Sequence, residues 1–257
     1  MKKWLSILLC LMLLFTTSVP CFANNHSVAG PGGALPPTAE ELAEAEAAFN
    51  PDLLELYPVA SSRAVTWYGP SNMTYYAQQQ SMSCGPACVR MVLKYITGTT
   101  YAESTIINGM VFSETTGTTL GNLTNYLKSH SDRYYTNYYG NNQTYLMSGV
   151  SSSIRNFDSP PIIGVVSSTS LGFPVTGSGG HFLVIEQIKS DLSAVMILDP
   201  WSGYSGNGYN GNLDENYTIT ANNMMTAYNT PSTRLGIGMQ LSETELTPNE
   251  IVSNETL

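Results

Sequence analysis

Gln78-Gln79-Gln80-Ser81-Met82-Ser83-Cys84-Gly85-Pro86-Ala87-Cys88-Val89-Arg90-Met91-Val92-Leu93-Lys94-Tyr95-Ile96 reads as a polar loop that turns into a helix, with a cysteine at the turn. Pro86 has no N–H to offer and a φ already suited to a helix, so it fits a first turn. Gly85 removes a side chain where a substrate backbone could pass. From Cys84 on, Cys84, Cys88, Met91, Val92 and Tyr95 recur at helical spacing. Val89 and Leu93 widen that apolar face until only Arg90 and Lys94 are left for solvent. The helix is therefore expected to be buried along its length while its first residue reaches water through the loop. Unpaired N–H groups at a helix N-terminus favour a thiolate over a thiol, which places Cys84 like a nucleophile. Cys88, one turn further in, reads as a small buried apolar residue.

Upstream of the glutamines, Trp67 to Tyr76 reads as extended. Downstream, the central helix is expected to end near Gly98. Tyr101 to Met110 and Thr118 to Lys128 read as two more helices, the second carrying Leu120, Leu123, Tyr126 and Leu127 at helical spacing. Arg133 to Tyr139 is β-like and is stopped by Gly140-Asn141-Asn142. Leu146 to Phe157 is a further helix that ends before Pro160-Pro161. The pattern then changes. Ile162 to Val166 is a buried-strand run, Gly177 to Gly180 a turn, and His181 to Ile188 a strand. Ala194 to Leu198 is the next strand, closed by Asp199-Pro200-Trp201, with Lys189 to Ser193 as the hairpin connection. Ser202 to Asn212 is rich in glycine and asparagine and is expected to be a mobile surface loop. Ala221 to Tyr228 reads as a short helix and Arg234 to Gln240 as a last strand. Helices first and an antiparallel sheet afterwards make an α+β layout, with N-terminal helices packed on a C-terminal antiparallel sheet.

The two ends differ from this middle. Residues 1–23 read as a signal peptide: Lys2 and Lys3 precede an apolar run from Leu5 to Phe15, and Ala23 is a small residue at the cut. The run is short for a membrane span, and Cys21 lacks the neighbours of a lipid-anchored cysteine. Export places the chain outside the cell, secreted or associated with the cell wall. Residues 24–66 read as a pro-region or linker. They hold Gly30-Pro31-Gly32-Gly33, a Pro36-Pro37 pair and a short acidic helix from Thr38 to Phe49, opened by a Thr38–Glu41 capping box. Residues 67–241 form the globular domain, and 242–257 read as an acidic, disordered tail.

The chain has 257 residues, 42% hydrophobic and 11% charged, which suits one domain with a sizeable core. Its formal net charge is -9, and -11 once the two leader lysines are gone. That balance argues against nucleic acid and anionic membrane surfaces as main partners. A monomer acting on a peptide or protein substrate is a separate expectation. After leader removal only Cys84 and Cys88 remain of the four cysteines. One helical turn apart, they have little loop to close with a disulfide.

Acyl transfer by a thiol needs a nucleophile, an imidazole, a group to orient the imidazole, and donors for the oxyanion. Cys84 supplies the first. Of the three histidines, His26 lies in the N-terminal segment and His130 in a polar turn after a helix. His181 alone begins a buried strand, behind a glycine turn that leaves room beside its ring. Asp199 ends the neighbouring antiparallel strand, so it can meet His181 and fix the tautomer. Gln78, six residues before Cys84, is placed to join the Cys84 backbone N–H in an oxyanion hole; Gln79 and Gln80 are alternatives for that role. No cofactor is required.

These pieces together resemble a known family. Gln-x5-Cys-Gly-Pro-Ala from Gln78, Gly-Gly-His-Phe-Leu-Val-Ile around His181 and Leu-Asp-Pro-Trp around Asp199 look like the C39-like cysteine peptidases, a papain-like group. The resemblance covers about Tyr68 to Gln240. It implies a papain-like fold and a cysteine peptidase with Cys84 as nucleophile, His181 as base, Asp199 as orienting group and Gln78 as oxyanion donor. The same machinery serves acyltransferases and cell-wall amidases. Two further readings use other chemistry: a metal site of Cys84, Cys88, His181 and Asp199, and a secreted binding module without activity.

Overall fold

The computed structural model describes residues 31–48, 64–209 and 213–244. The leader, His26, residues 49–63 and the tail beyond 244 lie outside the described residues. In chain order the elements are β1 (Ala34–Leu35), α1 (Ala39–Ala48), β2 (Trp67–Tyr68), α2 (Cys84–Thr97), α3 (Glu103–Asn108), β3 (Thr118–Thr119) and α4 (Leu120–His130). There follow β4 (Tyr135–Tyr138), α5 (Gln143–Phe157), β5 (Ile162–Val165), β6 (His181–Lys189), β7 (Ala194–Leu198), β8 (Asn216–Thr220), α6 (Ala221–Asn229) and β9 (Ile237–Gln240). The fold is α+β. Its large sheet runs β4-β9-β5-β6-β7-β8, with β2 paired to the far end of β6. All of these pairings are antiparallel.

The sheet is covered on both faces, which explains why β5 and β6 read as nearly continuous apolar runs. Phe182 and Val184 face one layer, where Cys88, Val92 and Leu93 of α2 and Leu123 and Leu127 of α4 complete a core. Leu183 and Ile185 face the other, against Leu146, Val150 and Ile154 of α5 and Met224 and Tyr228 of α6. The alternation is the ordinary period of two along a strand. It breaks at a bulge between Ile185 and Gln187. The extra residue, Glu186, turns its carboxylate to the Met73 backbone N–H, at 3.2 Å, and to the Asn216 amide, at 2.7 Å.

Local chemistry sets the helix ends. Gly98 closes α2 in the left-handed conformation and donates its N–H to the Lys94 carbonyl. Asn142 caps α5 by accepting from the Tyr145 N–H, so this helix begins three residues earlier than its apolar periodicity indicates. Strand β8 has no clear signal in the sequence: Asn216-Tyr217-Thr218-Ile219-Thr220 buries only Ile219 fully, as an edge strand does.

One expectation is corrected. The stretch after Trp201 is anchored through residue 209, because fully buried Asn207 donates its amide to the Trp201 and Ser202 carbonyls at 3.2 and 2.9 Å. Where it is described, the N-terminal segment contacts the domain through β1 and α1. The capping box forms as read, with Glu41 N–H on Thr38 Oγ1 at 3.1 Å and Thr38 N–H on Glu41 Oε2 at 2.7 Å. Glu41 Oε1 then accepts from the Thr119 hydroxyl, which caps α4. This carboxylate therefore ties α1 to the domain.

Because α2 is packed between α4 and the sheet, Leu93→Ala should cost about 2–5 kcal/mol, the usual range for a cavity left by a large aliphatic side chain. The exposed change Val111→Ala should stay within about 0.5 kcal/mol. Urea titration of both variants checks the contrast; equal losses would contradict this packing.

Candidate active site

Cys84 is the first residue of α2, and its sulfur points at the start of β6, where it accepts from the Phe182 N–H at 3.4 Å. A turn later the Cys88 thiol donates to the carbonyl of the same Phe182 at 3.3 Å. Both cysteines are free and fully buried. The burial of Cys88 fits its reading as an inert residue. Burial, then the nearby Cys84, Asp199 and Glu103, push its thiol well above the ordinary range.

The burial of Cys84 corrects the expectation that it reaches water. The cover is the chain's own segment: the Cys84 thiol donates to the Gly32 carbonyl at 3.1 Å. The loop before α2 is fixed from behind by Glu103 of α3, whose carboxylate accepts from Ser83 Oγ at 2.6 Å and from the Gln79 N–H at 2.9 Å.

His181 and Asp199 meet as their strands predict. His181 Nε2 lies 2.7 Å from Asp199 Oδ1, and both residues are buried. The register explains it: Val184 pairs with Leu198, so the start of β6 runs beside the end of β7. Asp199 is held by more than the histidine. Its Oδ1 also accepts from the Trp201 N–H at 2.9 Å, and its Oδ2 from the Tyr217 hydroxyl at 2.8 Å. Its carbonyl accepts from Tyr75 at 2.9 Å. Tyr217 lies on β8, the unread strand, and no spacing signal in the sequence links it to Asp199. Burial, then the Asp199 charge, raises its hydroxyl well above the usual range and keeps it a donor.

With Nε2 on Asp199, His181 Nδ1 is buried without a hydrogen-bond partner among the described residues. Burial opposes the charged ring, but Asp199 and then Cys84 outweigh it and raise the imidazole to about 10. The three groups can therefore hold a proton on the ring beside a sulfur.

Gln78 is buried and its backbone N–H donates to the Pro200 carbonyl at 3.0 Å, beside Asp199. Its side-chain amide donates to the Gln80 and Ser81 carbonyls at 2.7 and 3.0 Å, and its Oε1 is buried without a partner among the described residues. Gln79 is exposed and Gln80 half-buried. His130 stacks on Tyr126, away from this cluster, with ring centroids 3.9 Å apart. Among the described residues, no group of three or more His, Cys, Asp or Glu is placed to hold a metal ion. No described helix is long and apolar enough to cross a membrane.

A family model described as "Peptidase_C39 like family" matches residues 70–230, the part of the chain that holds Gln78, Cys84, His181 and Asp199. The chain belongs to this peptidase C39-like family, a class of peptidase-type hydrolases. No curated protein matches it.

His181 should keep its proton until pH rises through about 10, against about 6.5 for a free imidazole. A raised histidine stabilises the folded state fully below its unfolded value and loses that contribution as pH climbs through its folded one. Asp199→Asn removes the principal raising charge and should move the titration down. Imidazole NMR checks both; a wild-type midpoint near 6.5 would contradict the raised titration.

Proposed function

We propose that the chain is a secreted cysteine peptidase that cleaves peptide bonds through Cys84, His181 and Asp199. The observation that carries this reading is the buried 2.7 Å contact between His181 and Asp199, on the strand whose second residue bonds the Cys84 sulfur. Cys84, as thiolate, adds to the substrate carbonyl. His181 gives its proton to the departing amine, leaving an acyl-enzyme. Water, losing a proton to His181, then releases the acid and restores the thiolate. Asp199 orients the ring and stabilises its charge. As the first helical residue, Cys84 has a backbone N–H without an intrahelical acceptor, and this serves as one oxyanion donor. Gln78 serves as the second after its amide turns from the Gln80 and Ser81 carbonyls.

No metal or cofactor enters these steps. The leader exports the chain, and the mature domain acts as a monomer on peptide or protein, without nucleic acid or membrane. The acidic balance that argues against polyanionic partners supports this.

Turnover of a peptide library, followed by mass spectrometry, tests the assignment. Cys84→Ala and His181→Ala should each lose about 10⁴-fold or more, and Asp199→Asn less than either. Gln78→Ala should lose about 2.7–4 kcal/mol of transition-state stabilisation, read in the rate of cleavage and not in thiol labelling. Full activity in His181→Ala would remove the mechanism. An unchanged rate in Gln78→Ala would pass its role to Gln79 or Gln80.

A further inference from the structure

Glu103 opens α3 and is buried, yet its carboxylate serves the loop between Gln78 and Cys84. Its Oε1 accepts from the Gln79 N–H at 2.9 Å and from Ser83 Oγ at 2.6 Å. The second distance is that of a hydroxyl on an ionised carboxylate. Ser83 has a single hydroxyl proton. It gives that proton to Glu103 in preference to the Gln80 carbonyl, which lies further off at 3.0 Å. The Ser83 oxygen in turn accepts the Gln80 N–H at 3.0 Å. The loop is thus gathered around one carboxylate oxygen.

The two contacts fall beside the two groups read above as oxyanion donors. The Gln79 N–H belongs to the peptide that follows Gln78. The peptide that precedes Gln78 is held by the Gln78 N–H on the Pro200 carbonyl at 3.0 Å. Each peptide is a rigid plane, so holding both fixes the Gln78 Cα and the direction in which its side chain leaves. Ser83 is the other neighbour: its carbonyl carbon carries the Cys84 N–H. The position has a cost. Glu103 Oε2 is buried without a partner among the described residues. Burial raises the carboxyl above the ordinary range, against the Ser83 and Gln79 bonds and the Arg90 charge. An apolar residue would avoid that cost, so packing alone does not call for a carboxylate at 103.

We propose that Glu103 is a positioning residue for the oxyanion hole, holding the span between its two donors, the Gln78 amide and the Cys84 N–H. The proposal rests on the peptidase reading in taking these two groups as oxyanion donors. Glu103 itself touches neither of them. It acts through Gln79 on one side and Ser83 on the other, as Pro200 acts from the sheet.

Wild type, Glu103→Ala and Glu103→Gln are compared on the peptide that wild type cleaves fastest. Oxyanion donors act in the transition state, so Glu103→Ala should lower kcat by about tenfold or more and leave KM within about twofold. Glu103→Gln keeps an oxygen that accepts from Gln79 and Ser83, and should hold kcat within about threefold of wild type. In a Gln78→Ala background the Glu103→Ala loss should shrink to about threefold or less, because one positioned donor is already gone. Equal losses in both backgrounds, or a raised KM at constant kcat, would overturn the proposal. A second measurement needs no turnover. The side-chain amide NMR signals of Gln78, assigned by their loss in Gln78→Ala, should move in Glu103→Ala and in Ser83→Ala. Ser83→Ala keeps the test open should Glu103→Ala not fold. Unmoved signals would overturn the positioning. Moved signals in a chain whose wild type cleaves no peptide would uphold the positioning of Gln78 and remove the peptidase reading instead.

Discussion

One residue's backbone holds the two halves of the molecule in register. Phe182 gives its N–H to the sulfur of Cys84 and receives the thiol of Cys88 at its carbonyl. Cysteines four apart on a helix share a face and stand about 6 Å, roughly one turn, apart along the axis. Both sulfurs of α2 thus dock on the backbone N–H and carbonyl of a single residue, and α2 cannot slide along β6 without losing both contacts. His181 is the preceding residue, so the position of the imidazole against the first cysteine follows from this docking. Cys88 therefore has a structural role beyond filling space, although burial keeps its thiol protonated.

Asp199 shows how a buried charge is tolerated. A carboxylate taken out of water costs several kcal/mol unless other groups replace its hydration. Here the replacements are the imidazole, a backbone N–H two residues on and a tyrosine hydroxyl. They come from β6, the turn after β7, and β8. The carboxylate thus draws on three neighbouring pieces of the sheet, and its geometry depends on the sheet edge as much as on the histidine.

Much of this was legible in the residues. Pro86 behind a cysteine marked the start of α2, and alternation around Phe182 and Val184 marked β6. The two ends of the β6–β7 hairpin brought His181 and Asp199 together because antiparallel pairing leaves little choice once the strands are known. What was not legible shares one cause: it depends on partners far away in sequence. Strand β8 exists because Met196 and its neighbours supply a pairing edge, so its weak propensity did not reveal it, nor did it reveal Tyr217. Asn207 looked like loop composition until Trp201 gave its amide an acceptor. Gly32 and Gly33 read as linker because nothing local states that Thr118 and Gly180 stand on either side. The direction of the Gln78 amide is set by the curl of the Gln80 and Ser81 backbone, which composition does not encode.

The complete burial of both sulfurs has a chemical consequence of its own. Peroxide and small disulfides attack thiolates they can reach, and in the described arrangement solvent touches neither Cys84 nor Cys88. A chain folded this way ages slowly toward sulfenic and sulfinic acids, even where surrounding thiols are oxidised. Its chemical lifetime is set by how often the covering strand lifts, and loss of the cysteine begins only where the site is open.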